Sequence, residues 1–261
     1  MAGASNAYYE LDPEGDLLLI MRSPSPAFAV WDDNLGTLME KLDVDSQKDE
    51  KKKKKKAARA TLATPAHEAK NESQTLQSPP STGEAAPEEP HLKLLLSSAH
   101  LRLGSAYFKR TLNHGWKEAV TLNADGKRCI EAEGFDAEAL LIVMRMIHNL
   151  DHSVPEKVDL EMMAKIAVVV DYYDCHEPVW FIASMWINEL KEATLPTACN
   201  RNLSLWLLVS SVFEEKEVFL KVTEAAVLTS TGPLRTLDLP IRGIFIGMES
   251  TERHHALLTS G

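Results

Sequence analysis

An α+β fold is what this sequence predicts, and three observations predict it. The stretch Leu94–Phe108 (LLLSSAHLRLGSAYF) opens as a strand, with Leu92, Leu94 and Leu96 on one face and Lys93 between them. It then changes period, so that Leu101, Gly104, Ala106, Tyr107 and Phe108 suit two short helical turns joined at Gly104-Ser105. Short strand patterns cluster around this stretch, and helical stripes fill the chain from Asp136 onward. A strand that runs into a helical hairpin cannot bury its own apolar face, so its neighbours must cover it.

Bulk composition narrows the function classes. The 261 residues suffice for one ordinary domain with tails or for two small ones, and an apolar content of 44% allows a real core. The formal charge is −10; with the six lysines of Lys51–Lys56 set aside, the remainder carries −16. Such acidity argues against a nucleic-acid surface on the folded part, because phosphate neutralisation needs a basic patch. Apolar runs such as Ile166–Val170 are far shorter than a membrane span. The acidic start, MAGASNAYYELDPEGD, lacks the apolar centre of a secretory leader, so an intracellular protein, cytoplasmic or nuclear, is expected. Cys129, Cys175 and Cys199 are odd in number and widely spaced, which reads as reduced thiols and not as a disulfide framework or a zinc site.

Taken in order, Gly15–Met21 (GDLLLIM) is a continuous apolar run behind the turn residues Asp12-Pro13-Glu14-Gly15, the pattern of a strand covered on both faces. Ala27–Trp31 (AFAVW) is a second short extended candidate. The N-terminal segment is therefore assigned to residues 1–31. From 32 to 90 no Phe, Trp or Tyr occurs, and the stretch holds a six-lysine run followed by many Lys, Glu, Ser and Pro. That composition cannot bury enough apolar area to offset chain ordering, so a disordered insertion between two strands of one sheet is expected. The main domain follows over 91–191. Ala119–Leu122 and Arg128–Glu133 are short strands about the turn Asn123-Ala124-Asp125-Gly126, after a helix end stopped at Gly115.

Asp136 is placed to cap a helix whose buried stripe is Leu140, Val143, Met144 and Ile147, and Asp159 to cap one with Met163, Ile166, Ala167 and Val170 inward. Pro178 opens a third helix, with Trp180, Phe181, Ile182, Met185 and Trp186 read as mostly buried. A C-terminal helical extension over 192–261 holds a fourth helix capped by Asn202, a fifth through Val218, Val222 and Ala225, and a further helical pattern from Pro240 to Met248. Met144, Met146, Met162 and Met163 read as core filler.

Several of these segments resemble the BTB/POZ domain in the form common in filamentous fungi: LLLSSAHLRLGSAYFKRTL, then GWKEA, then RCIEAEGFDAEALLIVMRMIHN, then LEMMAKIAVVVDYYDC, with GDLLLIM as the first strand. The resemblance covers about Gly15–Met21 and Leu92–Leu190. It implies a small sheet flanked by a cluster of helical hairpins, no catalytic activity and no cofactor. It also implies work done through protein partners, as a homodimer or by docking to a partner such as a cullin. Some members adapt substrates to cullin-type ubiquitin ligases through a hydrophobic-x-Glu motif. Trp116-Lys117-Glu118 matches it, which makes Trp116 and Glu118 the candidate partner-binding residues. The family's Tyr-Thr-Gly is replaced here by His148-Asn149-Leu150, a departure from the cullin-facing surface of the adaptors.

The competing readings of these residues are plainer. Trp116 can pack over the hairpin with Glu118 solvated. His148, Asp151 and His152 have metal-like chemistry, but the helix is expected to end between the two histidines and no third ligand stands out. A polar helix end is the simpler account, and a metal-dependent enzyme the remote one. Lys51–Lys56 serves equally as a nuclear-import signal or acidic-partner tether, or as a solvated charge run. No nucleophile motif or glycine-rich phosphate loop is present.

Overall fold

At the centre of a sheet of five strands among the described residues lies β2 (Leu17–Met21), hydrogen-bonded on both sides. The computed structural model of the chain describes residues 7–22, 27–31, 92–113, 121–122, 126–230 and 232–241. Residues Met1–Val30 and Pro87–Gly261 form one unit. A second, Trp31–Ala86, lies outside the described residues except for Trp31, and so does the disorder expected of 32–90.

β3 (Leu92–Leu96) runs antiparallel to β2, with Leu19 opposite Leu94. β5 (Arg128–Ala132) runs parallel to it, with Leu19 opposite Ile130. β4 (Thr121–Leu122) closes one edge antiparallel to β5. The other edge is β1 (Ala7–Glu10), parallel to β3 with Tyr9 opposite Leu94. Along β2, Leu17, Leu19 and Met21 are fully buried while Leu18 and Ile20 are only half-buried. The continuous apolar run is thus a strand with one sealed face and one partly open, not one covered equally on both sides.

Gly15 leads into β2 where the chain passes close under β3. A Cβ there would stand 2.8 Å from the Leu96 carbonyl oxygen, 2.9 Å from that of Asp12 and 2.9 Å from Leu95 Cγ. Two of the three are backbone atoms and cannot swing aside. Gly15→Ala is expected to cost about 1–3 kcal/mol, the range for overpacking. A chemical-denaturation midpoint equal to that of the wild type would show that the strand entry has room.

Among the described residues seven α-helices follow: α1 (Ser98–Gly104), α2 (Ala106–Asn113), α3 (Ala137–Ile147), α4 (Leu160–Tyr173), α5 (His176–Thr194), α6 (Arg201–Val212) and α7 (Lys216–Thr229). The fold is mixed α+β. α4 is the hub of the helical layer, packing on α2, α3, α5 and α6; α3 also packs on α1 and α5, and α6 carries α7. Leu140, Val143, Met163, Ile166, Ala167 and Val170 are fully buried and Ile147 nearly so, as their helical stripes require. Asp136 and Asp159 cap their helices: Asp136 Oδ1 accepts from the Glu138 and Ala139 amides, and Asp159 Oδ1 from that of Met162. Leu203, Leu205, Trp206 and Leu208 of α6 belong to the same buried cluster as β2 and α3, so the extension shares the core of the main domain.

Three further expectations need correction, and one strand was not expected at all. Ala27–Trp31 is not a strand. Ala29 is left-handed (φ 47°), and the carbonyls of Phe28 and Ala29 accept from the Arg201 guanidinium at 3.2 and 2.8 Å, which pins this strap onto the helical layer. The cap of α6 is Asn200, whose side chain accepts from the Leu203 amide at 3.0 Å; Asn202 lies inside the helix. Ala7–Glu10, unremarked in the sequence, is a strand. Trp180, Phe181 and Met185 of α5 are exposed. The helix stop at Gly115 and the pattern running from Ile241 to Met248 lie almost wholly outside the described residues.

Candidate interaction surface

The start of α1 is a junction of three elements. Its own residue Ser97 makes no side-chain cap, so the first amides of the helix need partners from elsewhere. Asp16, just before β2, supplies one: its Oδ1 accepts from the Ser98 amide at 2.8 Å and its Oδ2 from the Ser98 hydroxyl at 2.7 Å. Burial opposes ionisation of Asp16, but the two bonds from Ser98 outweigh it and hold the carboxyl below its usual range.

His148, at the end of α3, supplies the other. Its Nε2 lies 3.0 Å from the Ser97 amide and its Nδ1 2.8 Å from the Met144 carbonyl. An amide can only donate, so Nε2 accepts and Nδ1 carries the proton. The ring is 6% exposed and stacks on His100 at 5.2 Å. Burial pushes its pKa below the usual 6.5; the Met144 carbonyl and Asp12 oppose the shift, and His100 adds to it.

The sign of the pH dependence follows. The unfolded chain takes up this proton more readily than the folded one, so the contribution of His148 is present above about pH 6.5 and is lost as pH falls through the lowered folded value. Denaturation midpoints of the wild type should therefore fall more steeply between about pH 7 and pH 5 than those of His148→Gln. Parallel curves would place the acid sensitivity elsewhere.

The two ring nitrogens of His148 are thus spent on backbone groups. His152 lies on a separate 3-10 turn (Asp151–Ser153), and among the described residues no group of three or more His, Cys, Asp or Glu side chains is placed to hold a metal ion. Cys175 is buried at the head of α5; burial, with Asp174 adding, pushes its thiol up to about 12. Trp116 and Glu118 lie outside the described residues.

The joint between α1 and α2 is fixed by α4. Ser105 Oγ accepts from the Phe108 amide at 3.0 Å and donates to the Tyr173 carbonyl at 2.5 Å, while the Ala106 amide bonds the Asp174 carbonyl at 3.0 Å. Phe108 stacks on Tyr173 at 4.8 Å, and Phe135 and Tyr107 pack around the same ring. The far side of the joint meets α5: at Gly104 an added Cβ would be 3.4 Å from Pro178 Cγ and 3.2 Å from Ile147 Cγ2.

α5 carries the surface feature that sequence reasoning missed. Val179, Ala183, Trp186, Ile187 and Leu190 are buried, and at offsets of 0, 4, 7, 8 and 11 they complete an inward face by themselves. Trp180 (61% exposed), Phe181 (67%) and Met185 (57%) are left on the outside, while Leu103 of α1, beside Gly104, is 89% exposed. The signal is in the spacing: these side chains fall off the buried stripe, although their apolar character points inward. Among the described residues no helix is long and apolar enough to cross a membrane.

Comparison with protein-family models, with curated proteins and with solved structures finds no match for this chain.

Proposed function

We propose that this chain is a non-catalytic protein–protein interaction module of the BTB/POZ type. The observation that carries the reading is the outer face of α5, where a Trp, a Phe and a Met stand exposed on a helix whose opposite side is fully packed. Aromatic and Met side chains gathered on a rigid element are the composition of interface centres, and leaving them in water gains the fold nothing. The order of strand, short helical hairpin, strand and helix pair is also what the resemblance implies. A cullin adaptor is the narrower version. His148 bears against it, since this residue stands where adaptors carry a partner-facing Tyr and is here turned inward.

The test is sedimentation of the purified chain over a range of concentrations, together with cross-linking of the tagged chain in its own cells. A dimer, or a stoichiometric protein partner, is the expected result. A monomer at every concentration that cross-links to no protein would overturn the proposal.

A further inference from the structure

Resting on the reading of the chain as an interaction module, we infer that the exposed face of α5 receives an amphipathic helix of another protein, apolar in its middle and basic at both ends. Glu177, Phe181, Met185, Asn188 and Glu192 fall at offsets of 0, 4, 8, 11 and 15, so they lie along one face of α5, and all five are exposed. Trp180 widens the apolar centre. The face therefore reads acid, Phe, Met, Asn, acid over about 22 Å, four turns of helix.

The end charges decide between occupants. A second copy laid antiparallel on this stripe brings Glu177 opposite Glu192, and one laid parallel brings each glutamate against itself. Either symmetric pairing sets like charge against like charge around an apolar centre, which disfavours self-association here. The surroundings do not cancel the acidity. Glu189 is already paired with Lys157, and at the Glu177 end Asp174 faces Arg110 at 3.6 Å and His176 at 4.0 Å. Beyond Glu192 an open cleft of about 610 Å³ is lined by Glu192, Glu214, Glu215 and Glu217 against Lys191, Lys216 and Lys221, an excess of one acid. A helix with Lys or Arg about fifteen positions apart, and large apolar side chains between, complements this pattern in both shape and sign.

The test uses the full chain and two fluorescein-labelled peptides of about twenty residues, which span the stripe at 1.5 Å per residue. Both carry Leu and Phe on one face of their central turns. One ends in Arg pairs, and its twin ends in Glu pairs. Anisotropy titrations at physiological salt should show the basic peptide binding at least about tenfold more tightly than the twin. Phe181→Ser with Met185→Ser should weaken it by about tenfold or more, and Glu177→Lys with Glu192→Lys should transfer the preference to the acidic twin. These are surface positions, and far-UV circular dichroism should match the wild type in each variant.

Failure to bind the basic peptide, equal binding of the two peptides, or indifference to both double variants would overturn the inference. So would a wild-type dimer that Phe181→Ser with Met185→Ser converts to a monomer, because a second copy would then be the occupant. The proposed function would survive that last result, and it would also survive a cross-linked partner that neither double variant releases.

Discussion

Trp206→Ala is expected to lower the stability of the folded chain by about 3–5 kcal/mol, as truncation of a large core side chain does. The indole is fully buried in α6, and its Nε1–H donates to the Thr194 carbonyl and hydroxyl, each at 3.2 Å, at the end of α5. Removing the ring opens a cavity and takes away the donor that ties α6 to the end of α5. The informative part is cooperativity. Because α6 packs on α4 and shares one buried cluster with the sheet, the variant should still unfold in a single, earlier transition seen alike by tryptophan fluorescence and circular dichroism. Two separated transitions would mean that the extension folds apart from the main domain.

Ile147→Ala is expected to cost about 2–5 kcal/mol. Ile147 ends the buried stripe of α3 and presses on Gly104, where α1 meets the head of α5. Its Cγ2 is the atom that a side chain at position 104 would meet first. The two positions should therefore couple: Gly104→Ala ought to cost less in the Ile147→Ala background than in the wild type, by about 0.5 kcal/mol or more. Strict additivity would show that the close approach is relieved by movement of α5. A loss below about 0.5 kcal/mol for Ile147→Ala alone is the surface range, and would mean that the face of α3 is wrongly assigned.

How much of this was legible in the sequence depended on whether the signal was local. The stripe of α3 and the caps Asp136 and Asp159 could be read because spacing and capping act within one helix. The change of period between Leu96 and Leu101 was equally local. β1 was not legible: Ala7–Glu10 is only four residues long, and it is a strand because β3 offers it an edge. The reverse happened at Ala27–Trp31, where an apolar run of strand length is instead fastened by Arg201 from far along the chain. His148 lacked a local sign of its role, since the Ser97 amide it satisfies belongs to another element. On α5 hydrophobicity and periodicity point opposite ways, and the fold follows periodicity. Trp180, Phe181 and Met185 stay outside because Val179, Ala183, Trp186 and Ile187 already fill the inward face.

The exposed face of α5 as a docking site for another protein is the centre of this account, and site-specific photo-crosslinking tests it most directly. The full chain would carry benzoylphenylalanine in place of Phe181 or, as a control on an exposed position of α7, in place of Glu224. Both would be expressed in the source cells and irradiated there. The account predicts a discrete adduct with a second protein from position 181 and none of that mass from position 224. No adduct from position 181, or the same set of adducts from both positions, would contradict it.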